Sequence, residues 1–296
     1  MFIDSFIGFL RVERNYSMHT LRAYAKDIRA FRDFLHSVDG SFSFAEADSD
    51  IVRAWAASLM DSGSSPATVC RRLSSLRTFY DYLCREGHVS GNPASPIQGP
   101  KRRKRLPAFV KEADMDYLLD EQLPDGSYEA CRDRMILMLF YETGIRLSEL
   151  VGLDVSGVDT QASLIKVFGK RSRERIIPFA GELNRELEHY LAVRSALPSL
   201  QCDALFLSSK GNRISHSAVY RMVKTRLGDI GSVKKRSPHV LRHSFATAML
   251  NNGAEIGVVR ELLGHKRLAT TEIYTHLTFE ELKKVYEKAH PRAGVN

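Results

Sequence analysis

The sequence contains a set of side chains suited to displacement at a phosphate ester: Arg146, Lys170, His239, Arg242, His265 and Tyr274. Arginines neutralise charge on the non-bridging oxygens of a five-coordinate phosphate through paired N–H donors. A tyrosine hydroxyl can attack phosphorus, but an ordinary tyrosine pKa near 10 means that it needs a base or a strongly cationic pocket. Histidine suits the role of base, and a mobile lysine can protonate the leaving oxygen. Because no carboxylate cluster suited to magnesium stands near these segments, we predict chemistry without a metal or other cofactor.

The segment KRSPHVLRHSFATAML carries two of these residues on one predicted helix. Ser237 can cap that helix, and His239 and Arg242 stand three apart, so their side chains project from one face. Free N–H groups and the helix dipole favour an anion at this end. His243 points elsewhere and is expected to be structural. The HxxR pattern is weak evidence alone, since it often arises by chance.

The segment LLGHKRLATTEIYTH and the lysine at position 170 have two interpretations each. Gly264 ends a predicted helix, so His265 and Tyr274 could serve only local packing, or they could complete a phosphate site. Lys170 stands in a predicted hairpin turn, where most lysines are simply exposed. Glu149, one turn after Arg146, could orient that arginine. Only the combination of these positions favours the catalytic interpretation.

Helical patterns dominate the first ninety or so residues. Ser17 is predicted to cap a helix with apolar residues every three or four positions. A shorter helix is predicted over about residues 51–60. The next helix has Ser65 as its cap, Pro66 in its first turn and Gly87 as its terminator. This part of the chain is therefore expected to be all-helical.

The rest of the chain has a mixed pattern. An apolar helix in ACRDRMILMLFYETG should stop at Gly144, and RLSELVGL should begin another. The segment SLIKVFGKRSRERIIPF is typical of two strands joined by a turn, and ALFLSSKGNRIS could add a strand and turn. Helical patterns dominate again from Ser217 onward. The predicted fold class is mainly α (α+β) with a small antiparallel sheet.

Composition limits the function classes. A net charge of +8 and a pI of about 9.3 favour a polyanionic partner, because cations near phosphates release counterions. The cysteines at 70, 84, 131 and 202 lack metal-ligand spacing, so we expect reduced thiols in the cytoplasm and no zinc site or disulfide framework. The apolar start has helical spacing without a basic lead or cleavage site, which is not typical of a signal peptide. No run approaches membrane-spanning length.

Two groups of basic residues are weaker candidates for DNA binding. The first lies mostly off the apolar stripe of its helix and comprises Arg71, Arg72 and Arg77. The second follows the proline-rich SGNPASPIQGP and comprises Lys101, Arg102, Arg103, Lys104 and Arg105. The first group is as typical of a solvated face as of phosphate binding. The second is usually a solvated linker between domains, but it could also lie across a DNA backbone.

The motifs taken together resemble those of the tyrosine site-specific recombinases. The set comprises TGIRLSEL, VFGKRSRER, HVLRHSFATAML, LLGH and EIYTH, in that order between residues 143 and 276. The segments TLRAY and SPATVCRRLSSLRTFYDYL resemble the N-terminal core-binding domain of the family, so the similarity runs nearly end to end. The length and the ending AHPRA are most similar to the Xer group, XerC-like or XerD-like.

This resemblance implies a role for each catalytic candidate. Tyr274 would attack the scissile phosphate and form a 3′-phosphotyrosine, freeing a 5′-hydroxyl. Arg146 and Arg242 would hold the phosphate oxygens. His239 would assist removal of the tyrosine proton, and Lys170 would protonate the leaving oxygen.

The resemblance also implies that His265 hydrogen-bonds the phosphate and that Glu149 supports the site from behind. Residues 1–95 would form a helical core DNA-binding domain, 96–107 a basic interdomain linker and 108–296 the tyrosine recombinase catalytic domain. The implied activity is cutting and rejoining of DNA, and the implied role is resolution of chromosome dimers during cell division. A mobile-element integrase and a DNA-binding module with an inactive site remain alternatives.

The implied partners follow from the same resemblance. They are double-stranded DNA with a short inverted-repeat site, a second copy or a sister recombinase in a tetramer, and a DNA translocase at the division septum. No membrane association is expected. An apolar stripe after Tyr274 comprises Phe279, Leu282, Val285 and Tyr286. It predicts a helix that either folds onto its own domain or, as the resemblance implies, docks on a neighbouring protomer.

Overall fold

The computed structural model of the 296-residue chain describes residues 2–101, 108–120, 127–168, 174–179, 181–197, 200–231, 233, 235–264 and 278–293. The chain divides into two compact units, Met1–Arg105 and Leu106–Asn296. In the described parts, no helix is both long and apolar enough to cross a membrane.

The first unit is helical, as predicted. Its helices are α1 (Phe2–Val12), α2 (Met18–Val38), α3 (Ser49–Asp61) and α4 (Pro66–Arg85). The hydroxyls of Ser17 and Ser65 accept hydrogen bonds from backbone N–H groups of the first turns of α2 and α4, which confirms both predicted caps.

The core of the first unit is rich in aromatic side chains. The rings of Phe6, Phe31, Trp55, Phe79 and Tyr80 are almost completely buried. Several of them meet edge to face, such as Phe31 and Trp55 with ring centroids 4.9 Å apart.

Helices also form most of the second unit. They are α5 (Glu112–Asp120), α6 (Tyr128–Thr143), α7 (Leu147–Gly152), α8 (Gly181–Ser195), α9 (His216–Arg226), α10 (Pro238–Asn251), α11 (Ile256–Leu263) and α12 (Phe279–Ala289). Helix α6 is central, because its residues from Met135 to Phe140 are all buried. A helical segment that is buried all round needs neighbours on every side, and α8 and α10 are among the helices packed on it.

A small antiparallel sheet completes this unit and confirms the predicted fold class. Its strands are β1 (Val158–Asp159), β2 (Leu164–Phe168) and β3 (Glu174–Pro178), in the order β1-β2-β3. Residues 204–214 form isolated bridges there instead of the additional strand that the sequence allowed.

The C-terminal helix α12 packs on its own domain. Tyr286 and Ala289 join a cluster with residues of α10 and α11, and Leu282 and Val285 pack against it. The sequence allowed this helix either to fold onto its own domain or to dock on a neighbouring protomer, and the single chain shows the first arrangement.

Ion pairs of Arg292 hold the chain that follows α12 in place. The guanidinium of Arg292 lies 2.9 Å from Asp116, 2.8 Å from Asp120 and 2.6 Å from Glu182. The fully buried Glu142 is 4.0 Å away, and burial raises its pKa well above the ordinary value. These contacts hold the tail to helices α5, α6 and α8.

His290 should make stability depend on pH. Burial, opposed by the Tyr141 carbonyl beside Nε2, lowers its pKa from 6.5 to about 3. The Arg292 backbone N–H donates to Nδ1, so a second proton would displace that donor. The stabilisation by neutral His290 is complete above pH 6.5 and is lost as the pH falls toward 3, by at most about 1.4 kcal/mol per pH unit.

Thermal melts of the wild type and His290→Gln between pH 7.5 and 5 measure this effect. The difference between the two proteins should shrink as the pH falls. Because the pKa of Glu142 is raised, its contribution to stability increases as the pH falls. Both proteins contain Glu142, so this contribution cancels in the difference between them. His189→Gln, at an exposed position of α8, serves as the control. Parallel melting curves for wild type and His290→Gln would contradict the prediction.

Candidate active site

Arg146 is placed by the sharp junction between α6 and α7. Gly144 ends α6 in the left-handed conformation, with φ of +58°. A Cβ at Gly144 would lie 2.7 Å from side-chain atoms of both Phe245 and Leu263, so the backbone itself packs against α10 and α11. Arg146 then stands at the start of α7, and its side chain reaches across to α11.

Glu149 holds Arg146 at two points, as predicted from their spacing. One carboxylate oxygen accepts from Arg146 Nη1 at 2.6 Å, and the other accepts from the Arg146 backbone N–H at 2.9 Å. Burial alone would raise the pKa of Glu149, but hydrogen bonds and charge from Arg175 and Arg146 keep that pKa below its ordinary value. Glu149 is therefore a carboxylate at neutral pH, and it fixes the position of Arg146.

Helix α10 supplies Arg242 from the opposite side. Its guanidinium donates to the carbonyl of Gly144 and, at 2.6 Å, to the carbonyl of Leu263. Burial, together with the charges of Arg146 and Arg175, lowers the pKa of Arg242 to about 10. The group is still protonated at neutral pH. His239 is exposed one turn earlier on the same helix.

The end of α11 is where the two predicted arginines meet. Arg146 Nη2 donates to the carbonyl of Gly264 at 2.7 Å, next to the Leu263 carbonyl that Arg242 holds. The structure thus brings together Arg146, Arg242 and Glu149. Lys170, His265 and Tyr274 lie outside the described residues.

Arg175 is part of this cluster and was not among the predicted site residues. Its Nη2 donates to Glu149 at 2.8 Å, and its Nη1 donates to the carbonyl of Leu262. Arg175 lies opposite the buried Val167 in the β2–β3 pairing. The signal that could have revealed it is an arginine at an inward position of a strand.

Three of the weaker DNA-binding candidates, the arginines of α4, already have contacts within the first unit. Arg71 forms an ion pair with the buried Asp27, and Arg72 lies 3.8 Å from the same carboxylate. Arg77 donates to the carbonyls of Ala94 and Ile97. Lys101 is exposed, and residues 102–105 lie outside the described ranges. Their contact with DNA stays a prediction.

Comparison with known proteins identifies the class to which this fold and arginine cluster belong. The model of the phage integrase family matches residues 108–281. The model of the phage integrase N-terminal SAM-like domain matches residues 3–87. The chain therefore belongs to the phage integrase family.

Individual relatives place the chain among the Xer-type tyrosine recombinases. It is 41% identical to the tyrosine recombinase XerC of Pelotomaculum thermopropionicum, over 98% of both chains. It is 35% identical to the tyrosine recombinase XerD of Oceanobacillus iheyensis, again over 98% of both. The fold is similar to XerH site-specific recombinase bound to palindromic difH substrate, with a TM-score of 0.73, 23% identity and coverage of 93% of this chain and 81% of that one. The chain is thus a site-specific DNA recombinase.

Gly264 should be sensitive to the addition of a single methyl group. It is in the left-handed conformation with φ of +62°, and a Cβ there would lie 2.9 Å from Arg175 Cδ and 3.2 Å from Nε. Gly253 is also left-handed, with φ of +88°, but a Cβ there meets nothing within 4 Å. Both alanine variants carry backbone strain of about 1–3 kcal/mol, and only Gly264→Ala also displaces Arg175.

The two variants therefore form a matched pair. At saturating DNA, we expect Gly264→Ala to cleave about tenfold to a hundredfold more slowly than Gly253→Ala, because small displacements in a catalytic cluster are costly. Cleavage should be measured as covalent adduct on a nicked duplex, beside a thermal melt. Equal rates in the two folded variants would show that the contact with Arg175 is unimportant.

Proposed function

We propose that this recombinase cuts a DNA strand by attack of the Tyr274 hydroxyl on the scissile phosphorus. The tyrosine O–P bond forms as the bond to the 5′-oxygen breaks, leaving a 3′-phosphotyrosine and a free 5′-hydroxyl. His239 accepts the tyrosine proton, and Lys170 protonates the 5′-oxygen. Because the phosphotyrosine is still a phosphodiester, a 5′-hydroxyl from another strand can reverse the reaction without ATP or a metal.

The observation that carries this proposal is the convergence of Arg146 and Arg242 at the end of α11. Their fork-shaped donors match phosphate oxygens, and their positive charge would stabilise the five-coordinate phosphate. His265 follows Gly264 directly in the chain and is proposed to bond the same phosphate. Tyr274 is nine positions further on. The cluster therefore stands at the beginning of the segment that carries the nucleophile.

The proposed biological role is resolution of chromosome dimers in the cytoplasm during cell division. Its support is the similarity to XerC and XerD recombinases over nearly the whole chain. The proposed substrate is a short inverted-repeat site in double-stranded DNA, as in the XerH complex with a palindromic substrate. A lambda integrase tetramer bound to a Holliday junction supports a tetramer of this chain, alone or with a sister recombinase. A septal DNA translocase is the proposed activating partner.

Capture of the covalent intermediate tests the proposed chemistry. The protein is incubated in EDTA with nicked duplex fragments of its own chromosome, and the linked DNA is sequenced. The proposal predicts an adduct on Tyr274 and a short inverted repeat enriched near the replication terminus. Strand exchange between two copies of that site would separate a recombinase from an enzyme that only relaxes DNA. An adduct that requires a metal, or one on another residue, would overturn the mechanism.

Lys170→Ala should slow cleavage by about 10²–10⁴-fold, the usual contribution of a general acid. A substrate with sulfur at the 5′-bridging position has a better leaving group and should recover most of that rate. The measurement is the single-turnover rate of adduct formation on the oxygen and sulfur substrates.

Lys166→Ala is the matched control, because Lys166 is an exposed lysine on β2 four residues earlier. It should cleave both substrates at the wild-type rate. A Lys170→Ala defect of equal size on the two substrates would assign this lysine an electrostatic role in place of proton donation.

A further inference from the structure

The last carbonyls of α11 each receive a guanidinium donor. Arg175 donates to Leu262, Arg242 to Leu263 at 2.6 Å, and Arg146 to Gly264 at 2.7 Å. The carbonyls of a final helical turn lack partners within the helix and carry its negative dipole end. Arginines from β3, α10 and α7 therefore hold one helix end in place.

Arg175 has a second contact that links it to another member of the cluster. Its Nη2 lies 2.8 Å from Glu149 Oε2, while Arg146 Nη1 lies 2.6 Å from Glu149 Oε1. Arg175 and Arg146 thus hold the two oxygens of a single carboxylate, which is almost completely buried. Without Arg175, the charge of Glu149 would be balanced by Arg146 alone, and Oε2 would keep only the Arg146 backbone donor.

Packing also joins Arg175 to the chain that leads toward Tyr274. The missing side chain of Gly264 leaves the space that the stem of Arg175 fills, since a Cβ there would lie 2.9 Å from Arg175 Cδ. The Nε atom of Arg175 is buried and has no hydrogen-bond partner among the described residues. The side chain is thus enclosed between Glu149 and the end of α11.

We propose that Arg175 is a positioning residue for DNA cleavage. It acts through Glu149, which it keeps ionised and correctly oriented for Arg146, and through the end of α11, from which the chain continues to His265 and Tyr274. This inference rests on the proposed function of those residues. It adds a residue that contacts neither the phosphate nor the nucleophile in the proposed mechanism.

The test compares Arg175→Gln, Arg175→Lys and Arg213→Gln. Arg213 is a matched control in the same unit, because its guanidinium also donates to backbone carbonyls, those of Val151 and Leu153, and to a carboxylate, Asp154. The probe is the nicked chromosomal fragment that the wild-type protein links most efficiently. The readouts are half-site affinity, the rate of adduct formation at saturating DNA, and a thermal melt.

Arg175→Gln should lower the adduct rate by on the order of 10²-fold, the effect of misplacing a catalytic group by about 1 Å. Its half-site affinity should stay within about threefold of the wild type, since most affinity comes from backbone phosphates elsewhere. Arg175→Lys should recover part of the rate, because it restores the charge without the paired donors. Arg213→Gln should melt earlier but cleave at the wild-type rate.

A double-mutant cycle with Glu149→Gln tests whether Arg175 acts through Glu149. If Arg175 acts through Glu149, the double variant should be less impaired than the product of the two single effects. Multiplicative effects would overturn that route. An Arg175→Gln rate equal to that of Arg213→Gln, or a loss of affinity as large as the loss of rate, would overturn the positioning role.

Failure of the variant to fold, failure of the proposed function and failure of this inference alone give different results. If Arg175→Gln does not fold, Arg175→Lys carries the comparison, and a wild-type rate in that folded variant would overturn the requirement for paired donors. If the wild type forms no adduct, the proposed function fails and this inference fails with it. If the wild type and Arg175→Gln are equally active, this inference is overturned and the proposed function is not.

Discussion

Replacement of Tyr274 by phenylalanine should abolish the covalent protein–DNA adduct. The change removes only the proposed nucleophilic oxygen, and attack by water in its place would not link the protein to DNA. Half-site binding should stay within a few-fold of the wild type, because affinity comes mainly from contacts with the phosphate backbone. The measurement is denaturing electrophoresis of protein mixed with a nicked duplex, beside a gel-shift titration of the same duplex.

Tyr286→Phe is the matched control for this prediction. Tyr286 lies on α12, and its buried hydroxyl has no hydrogen-bond partner among the described residues. Removing an unpaired buried hydroxyl should leave stability unchanged or slightly higher. This variant should form adduct at the wild-type rate. Adduct persisting in Tyr274→Phe would exclude Tyr274 as the nucleophile. Loss of adduct in Tyr286→Phe would indicate that α12 contributes to cleavage.

Arg242→Lys should lower the rate of adduct formation by about 10²–10³-fold at saturating DNA, the usual cost of losing a donor to transition-state charge. Lysine keeps the positive charge but cannot present the planar, paired donors that reach two acceptors. The variant should also melt earlier, since the carbonyl of Gly144 or of Leu263 loses its donor. Single-turnover cleavage and thermal melts measure the two effects.

Arg194→Lys separates catalysis from stability. Arg194 is 7% exposed and Arg242 is 8% exposed. Arg194 donates to the carbonyls of Cys202, Ala204 and Leu205, away from the cluster. Its replacement should reduce stability without slowing cleavage by the folded protein. Similar cleavage losses in both variants would mean that Arg242 matters only for packing.

Local signals in the sequence were sufficient to predict much of the helical framework. Ser17 and Ser65 are followed by apolar residues at helical spacing, and both cap the predicted helices. Gly144 ends α6 as expected, and the Gly-Lys-Arg-Ser segment separates two paired strands. Each of these features depends on residues close together in the chain, which is why a single sequence reveals them.

Features that depend on distant residues were harder to predict. No local pattern indicated that Nε and Nη2 of Arg77 donate to carbonyls 17 and 20 positions later in the chain. Helix α8 was not predicted, although Leu183, Leu187 and Tyr190 have helical spacing. In the sequence, Arg175 is one of several cations in a predicted hairpin. Its role depends on Glu149 and Leu262, which no local pattern connects to it.

The arginines at the end of α11 have a consequence for the entropy of DNA binding. A free arginine side chain samples many rotamers, and fixing it costs up to about 2 kcal/mol. Arg146 and Arg242 meet that cost when the domain folds, since backbone carbonyls already fix their orientation. An arriving phosphate therefore meets guanidinium groups that are already ordered. Phosphate binding at the cluster therefore costs little additional side-chain entropy, whichever DNA site is bound. Discrimination between DNA sites can then come from contacts elsewhere.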